Sequence, residues 1–145
     1  MTVDIMTDGL PVPVSQPLIS ILQQHMTEAL SKTDDVSDLD AITLNFRDPD
    51  YSAESDGYHP VEIRLTYQQG QWHLNYITDF SYVGSGWDTE LAKELDFDFG
   101  LGVCMTRFML DSPLAGAVEL YQLFETNFIS YYQMDAYKVN TTLEQ

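Results

Sequence analysis

With 145 residues, 44% hydrophobic and 12% aromatic, the chain has about the length of one domain and the material for one sizeable core. Twenty-three acidic residues against six basic ones give a formal net charge of -17, a field that repels nucleic-acid phosphates and anionic membranes and attracts cations or basic proteins. Nine Tyr, seven Phe and two Trp need an interior to pack in, so the charge belongs to a folded body and not to a disordered acidic chain.

Residues 1–16, with Gly9, Pro11 and Pro13 and no sustained period, read as an extended or loosely docked arm ahead of a single domain over 17–145. Pro17 suits a first helical position, with Ser15 or Gln16 as cap. Leu18, Ile21, Leu22, His25, Met26, Ala29 and Leu30 then recur at helical spacing and predict an amphipathic helix over about 17–32. His25 falls on its apolar stripe, where a core histidine is the ordinary reading.

Thr33 to Asp40, with Asp34, Asp35, Asp38 and Asp40, is a solvated loop of like charges. Ile42, Leu44 and Phe46 alternate with Thr43 and Asn45 as a half-buried strand, ended by Asp48, Pro49 and Asp50. Tyr51 to Pro60 is a second acidic loop whose composition predicts mobility. Val61 to Leu65 and Trp72 to Phe80 alternate on either side of Gly70 and form an antiparallel hairpin.

After Gly84, Ser85 and Gly86, the stretch Thr89 to Leu95 suggests a turn of helix, and Leu95, Phe97 and Phe99 alternate with Asp96 and Asp98. Val103 to Leu110 reads as a further strand. Asp111 and Ser112 before Pro113 read as the cap of a second helix, whose broad apolar stripe, running to about residue 133, implies burial on more than one side. The tail from Tyr137 to Thr142 alternates as a last edge strand. The expected architecture is an α+β two-layer sandwich: a mostly antiparallel sheet of four to five strands, with the N-terminal and C-terminal helices on one face.

Cys104, the only cysteine, lies in an apolar run and reads as a buried structural thiol. The N-terminal stretch carries Asp4 and Asp8 without a basic residue, and no run approaches the roughly 18 apolar residues of a membrane span, so a cytoplasmic protein is the expectation.

The segments YHPVEIRL from Tyr58, WHLNYITDFSYVG from Trp72, LDFDFG from Leu95 and ELYQLFETNFISYYQMDAY from Glu119 together resemble a small uncharacterised bacterial family of unknown function, met mostly in aquatic gamma-proteobacteria. The resemblance spans roughly residues 40–140. It implies one compact cytoplasmic domain and assigns no catalytic residues.

Asp96 and Asp98, two apart on a strand, put both carboxyl groups on one face, where with Asp79 they could hold a cation or ligand; the ordinary reading is a solvated polar face. No calcium-loop or zinc-ligand spacing accompanies them, so no metal is expected. His25, His59 and His73 lack the spacings that bring imidazoles together. No phosphate loop and no nucleophile elbow is present around Ser85, and no cofactor is called for. Tyr76, Tyr82 and Trp87 belong to an aromatic set, with Tyr131, Tyr132 and Tyr137, of the kind enriched at interfaces, although core packing is their ordinary role.

Two readings follow. One is a non-enzymatic interaction module, forming a homodimer or binding a basic protein partner, with mimicry of nucleic acid as a special case and no direct binding of nucleic acid or membrane. The other is a small-molecule-binding or small hydrolytic domain using Asp79, Asp96 or Asp98 with His73 or His59. Acidity serving only solubility is a third.

Overall fold

The computed structural model describes residues 3–33 and 38–145. Asp34 and Asp35 of the first acidic loop lie outside them. Eight strands form one sheet: β1 (Ile5–Met6), β2 (Ala41–Arg47), β3 (Val61–Gln68), β4 (Gln71–Val83), β5 (Glu90–Asp98), β6 (Val103–Thr106), β7 (Ser112–Pro113) and β8 (Lys138–Glu144). They run in the order β7-β6-β5-β4-β3-β2-β8, with β1 off this path beside β4. The helices are α1 (Gln16–Ser31) and α2 (Val118–Gln133). The α+β class holds, but the sheet has eight strands and not four to five.

The helix α1 starts where its chemistry demands. The Ser15 side chain accepts a hydrogen bond from the Leu18 amide at 3.4 Å, and Pro17 occupies the first turn, where its missing N–H costs nothing. Leu18, Leu22 and Met26 are fully buried along one stripe. The sheet supplies the facing layer by simple alternation: Ile42, Leu44 and Phe46 of β2 and Ile63 and Leu65 of β3 are also at 0% exposure. Phe46 meets His25 of α1 at 5.9 Å and Phe128 of α2 at 5.0 Å between ring centroids, which places both helices on the same face of the sheet.

The structure departs from the sequence expectation in three more places. Thr89 to Leu95 is not helical: from Glu90 it belongs to β5, whose alternation is hidden because the ladder with β4 slips between Asp79 and Phe80. That slip leaves Glu94 as an extra residue, with Leu95 opposite Asp79 and Lys93 opposite Phe80. The strand from Val103 ends at Thr106, where Arg107 to Leu110 turn toward β7 and Phe108 adopts φ 67°. Pro113 does not open α2. Its ψ of 136° keeps it extended beside Val103, and fully buried Leu114 anchors a short 3₁₀ turn before α2 begins at Val118.

The segment ahead of α1 carries β1, parallel to β4 through Ile5 opposite Trp72 and Met6 opposite His73, with Val3 and Val12 buried. At the other edge β8 pairs antiparallel with β2, the last edge strand the tail predicts. Cys104 is buried and free, and burial raises its thiol pKa.

A second slip, between Arg64 and Leu65, leaves Asn75 as the extra residue of β4. Its side-chain Oδ1 accepts from Arg64 Nη1 at 2.8 Å, and Arg64 Nε donates to Glu144 Oε2 at 3.0 Å across the uncovered face. Glu144 also accepts from Thr43 at 3.1 Å, so this face is closed by a continuous polar network. No helix among the described residues is long and apolar enough to cross a membrane.

Candidate functional site

The residues singled out from sequence separate onto the two faces of the sheet. Asp96 and Asp98 do share a face, but it is the uncovered one, and both are engaged. Asp96 Oδ1 accepts from the Thr78 hydroxyl at 2.8 Å and its other oxygen lies 3.7 Å from Lys93 Nζ, while Asp98 Oδ1 accepts from the Leu101 amide at 2.8 Å and shapes the β5–β6 turn. His73, opposite Thr66 and Met6, is also on the uncovered face, and among the described residues no hydrogen bond joins it to Asp79, Asp96 or Asp98. Tyr76 donates to Glu62 at 2.5 Å, Tyr82 packs at a tilt against Tyr51 with ring centroids 5.3 Å apart, and Trp87 stands wholly in solvent on the β4–β5 loop.

Asp79 is on the covered face. It lies on β4 between Val61 and Leu95 and is 8% exposed. His59, in the loop that leads into β3, brings Nδ1 within 3.2 Å of Asp79 Oδ1 and 3.0 Å of Glu94 Oε2. Regular alternation would send Glu94 to the face of Asp96; the bulge turns it to the covered side, so that consecutive Glu94 and Leu95 line the same cavity. His59, Asp79 and Glu94 thereby place one ligand atom each within 4.8 Å of one another.

The approach of His59 is set by its loop. Asp48, buried at the end of β2, accepts from the Asp50 amide at 2.9 Å and from the Tyr58 amide at 3.0 Å, fixing the segment that carries His59. The Pro60 carbonyl then accepts from the Phe80 amide at 3.0 Å, tying that segment to β4 next to Asp79. Tyr51 lies against the imidazole at 5.4 Å between centroids.

Electrostatics in the cluster are one-sided. The hydrogen bond to Asp79 raises the His59 pKa above 6.5, against the opposing effect of burial. Asp79 is raised as well: loss of water outweighs the pull of His59, and the neighbouring Glu94 adds to the rise. Imidazole Nδ1 carries at most one hydrogen, yet three carboxyl oxygens crowd it at 3.0 to 3.4 Å.

The cluster opens into a cavity of ≈ 290 Å³ between α2 and the sheet. Phe124, Phe128 and Tyr131 of α2 wall one side, and Val61, Leu95 and Tyr137 the other. Tyr58 closes on Tyr131 at 4.3 Å. The wide stripe of α2 is therefore not buried on several sides: Leu123 is 61% exposed at the rim of this cavity, and Tyr121, Glu125 and Phe128 are the fully buried positions. Sequence reasoning named Asp79 and His59 but missed Glu94, whose placement depends on a bulge that no local pattern announces.

A mostly antiparallel sheet with both helices on one face, and a polar cluster at the mouth of the intervening cavity, defines an α+β two-layer fold. The chain belongs to the family described as "Protein of unknown function (DUF2787)", whose model matches residues 17–142. The chain is similar to the solved hypothetical protein VC0508 from the VSP-II pathogenicity island of Vibrio cholerae, at 35% identity and TM-score 0.87, covering 98% of this chain and 99% of that one. It is also similar to the conserved hypothetical protein VC1805 from island VPI-2 of the same organism, at 37% identity and TM-score 0.81, covering 95% and 99%. The latter is described as sharing structural homology with the human P32 protein. No curated protein matches the chain.

Proposed function

We propose that this protein is a non-enzymatic interaction module of the cytoplasm that binds a basic protein partner. The observation that carries this reading is a set of large apolar side chains standing in solvent on two loops, each flanked in sequence by acidic residues. Trp87, Phe108 and Leu110 are almost completely exposed, and Met109 is 71% exposed. The Arg107–Leu110 turn lies beside the start of β5, because the Arg107 amide donates to the Glu94 carbonyl and its guanidinium to those of Ala92 and Ser81. Exposed Asp88, Glu90 and Asp111 border these side chains in sequence. Large exposed apolar groups with a charged rim are the anatomy of a docking surface.

Charge selects the occupant. Of the six basic side chains, Lys32, Arg64, Lys93 and Arg107 are already engaged with groups of the same molecule, so few cations remain to offset twenty-three acidic residues. Two copies of such a surface repel, which favours a cationic partner over a homodimer. Titration with a lysine- and arginine-rich peptide bearing apolar residues, followed by Trp fluorescence at low and high salt, tests this. Saturable one-to-one binding that weakens steeply with salt and is lost in Trp87→Ala and Phe108→Ser supports the reading. Binding that ignores both substitutions, or concentration-dependent dimerisation through the same residues, overturns it.

The cavity favours a second reading, a small-molecule-binding domain. Its aromatic walls and polar mouth suit an apolar ligand with a cationic or hydrogen-bonding end. The pair that serves it is Asp79 with His59, not Asp96 or Asp98 with His73.

A further inference from the structure

We infer that His59, Asp79 and Glu94 form a binding site for one divalent transition-metal ion of the zinc class. This goes beyond the docking surface, which uses none of these three side chains. Three features converge on it. The donor set is one imidazole nitrogen and two carboxyl groups, each offering an atom within 4.8 Å of the others. Two ligands about 2.1 Å from an ion stand about 3.0 Å apart at right angles and about 3.4 Å apart at the tetrahedral angle. His59 Nδ1 lies 3.0 Å from Glu94 Oε2 and 3.2 Å from Asp79 Oδ1, separations within or close to this range.

The second feature is the count of hydrogens. One Nδ1–H cannot serve two carboxyl groups fully, and the other hydrogen-bond partner described for the 8%-exposed Asp79 side chain is the second acid, Glu94. A divalent ion supplies the missing positive charge to both at once. The third is local architecture. The β5 bulge spends a ladder position to deliver Glu94 to this point, and such irregularities recur where a side chain must be aimed. Three protein ligands leave further coordination positions, and these face the cavity between α2 and the sheet, where water or the polar end of a ligand fits. A nitrogen with two carboxyl oxygens suits zinc or manganese better than calcium, which requires six or more oxygens.

The test is titration of chelator-stripped protein with zinc chloride and with manganese chloride, by calorimetry and by thermal unfolding, with calcium chloride as the comparison. One zinc ion per chain should bind and raise the melting temperature, calcium should not, and the apparent affinity should fall with pH because Nδ1 must lose its proton. His59→Gln and Glu94→Gln, checked for native circular dichroism, should each weaken zinc at least ~10-fold, while His73→Gln and His25→Gln leave it unchanged. Cobalt(II) serves as a spectroscopic probe, with visible bands that disappear in Glu94→Gln and owe nothing to Cys104. Absence of stoichiometric binding by zinc and manganese overturns the inference, as does binding that survives both His59→Gln and Glu94→Gln. Neither result touches the docking surface, whose substitutions lie on other loops.

Discussion

Of the three carboxyl groups buried among the described residues, Glu125 and Asp79 are treated in opposite ways. Glu125, 7% exposed on α2, accepts from the Tyr121 hydroxyl at 2.7 Å and from the Ser15 amide at 3.1 Å. It thus bridges α2 to the cap of α1 with donors of its own. Asp79, 8% exposed, shares a single imidazole N–H with a second carboxyl group. The bulges repeat the contrast: Asn75 enters a closed network with Arg64, whereas Glu94 is delivered to a cluster short of donors. Buried polar groups with matched partners hold a fold together; those left short of partners are kept for something else.

The sharpest break of this contrast compares two alanine substitutions in the metal-free protein. Glu125→Ala leaves the Tyr121 hydroxyl and the Ser15 amide without their acceptor and should cost about 3 kcal/mol in urea unfolding. Asp79→Ala relieves a crowded, desolvated carboxyl group while His59 keeps Glu94, and should cost no more than about 1 kcal/mol. Equal losses for the two would show that the cluster is structural after all.

The bulges provide a smaller and more selective comparison. Asn75→Ala removes one of Arg64's acceptors but leaves Glu144, so about 1 kcal/mol should be lost. Glu94→Ala should lie within about 0.5 kcal/mol of the parent in the presence of chelator and differ from it only when zinc is added. A Glu94→Ala protein as unstable as Asn75→Ala without metal would remove the distinction between the two bulges.

Most of the scaffold was legible because its signals are local. Ser15 and Pro17 announce α1, alternation from Val61 and from Trp72 around Gly70 announces the β3–β4 hairpin, and the tail alternates as β8 does. Elements whose identity depends on distant partners were not. β1 is two residues long and exists only because β4 offers an edge; β5 loses its alternation at Glu94; and the fixed φ of Pro113 suits a helix start as well as an edge strand until buried Leu114 decides. The same division runs through the site. Asp79 was singled out as an acid on a strand, but the bulge at Asn75 turns it to the covered face, not to the face that simple alternation assigns it. The Asp96 and Asp98 pair carried a local signal pointing to a face where Thr78, Lys93 and the Leu101 amide already occupy it.

Two of the three half-buried histidines, His25 and His59, extend the contrast to pH, with the smallest expected effect. His25 packs edge-on to Phe46 and exchanges a 2.7 Å hydrogen bond with Tyr132; burial lowers its pKa below 6.5, and Glu28 opposes this only in part. His59 is shifted the other way by Asp79. For His25 the unfolded chain takes up its proton first as pH falls below 6.5, so stability drops until the folded pKa is reached. For His59 the folded chain holds its proton longer, so its contribution is complete below the unfolded value and is lost as pH rises through the folded one. Urea unfolding of the parent and of His25→Gln at pH 5 to 8, with chelator present, should therefore diverge on the acid side, the parent losing stability faster, and run parallel above about pH 7. A parent curve no steeper than that of His25→Gln below pH 6.5 would mean that the aromatic surroundings of His25 do not resist its charge, and that the two histidines differ in position alone.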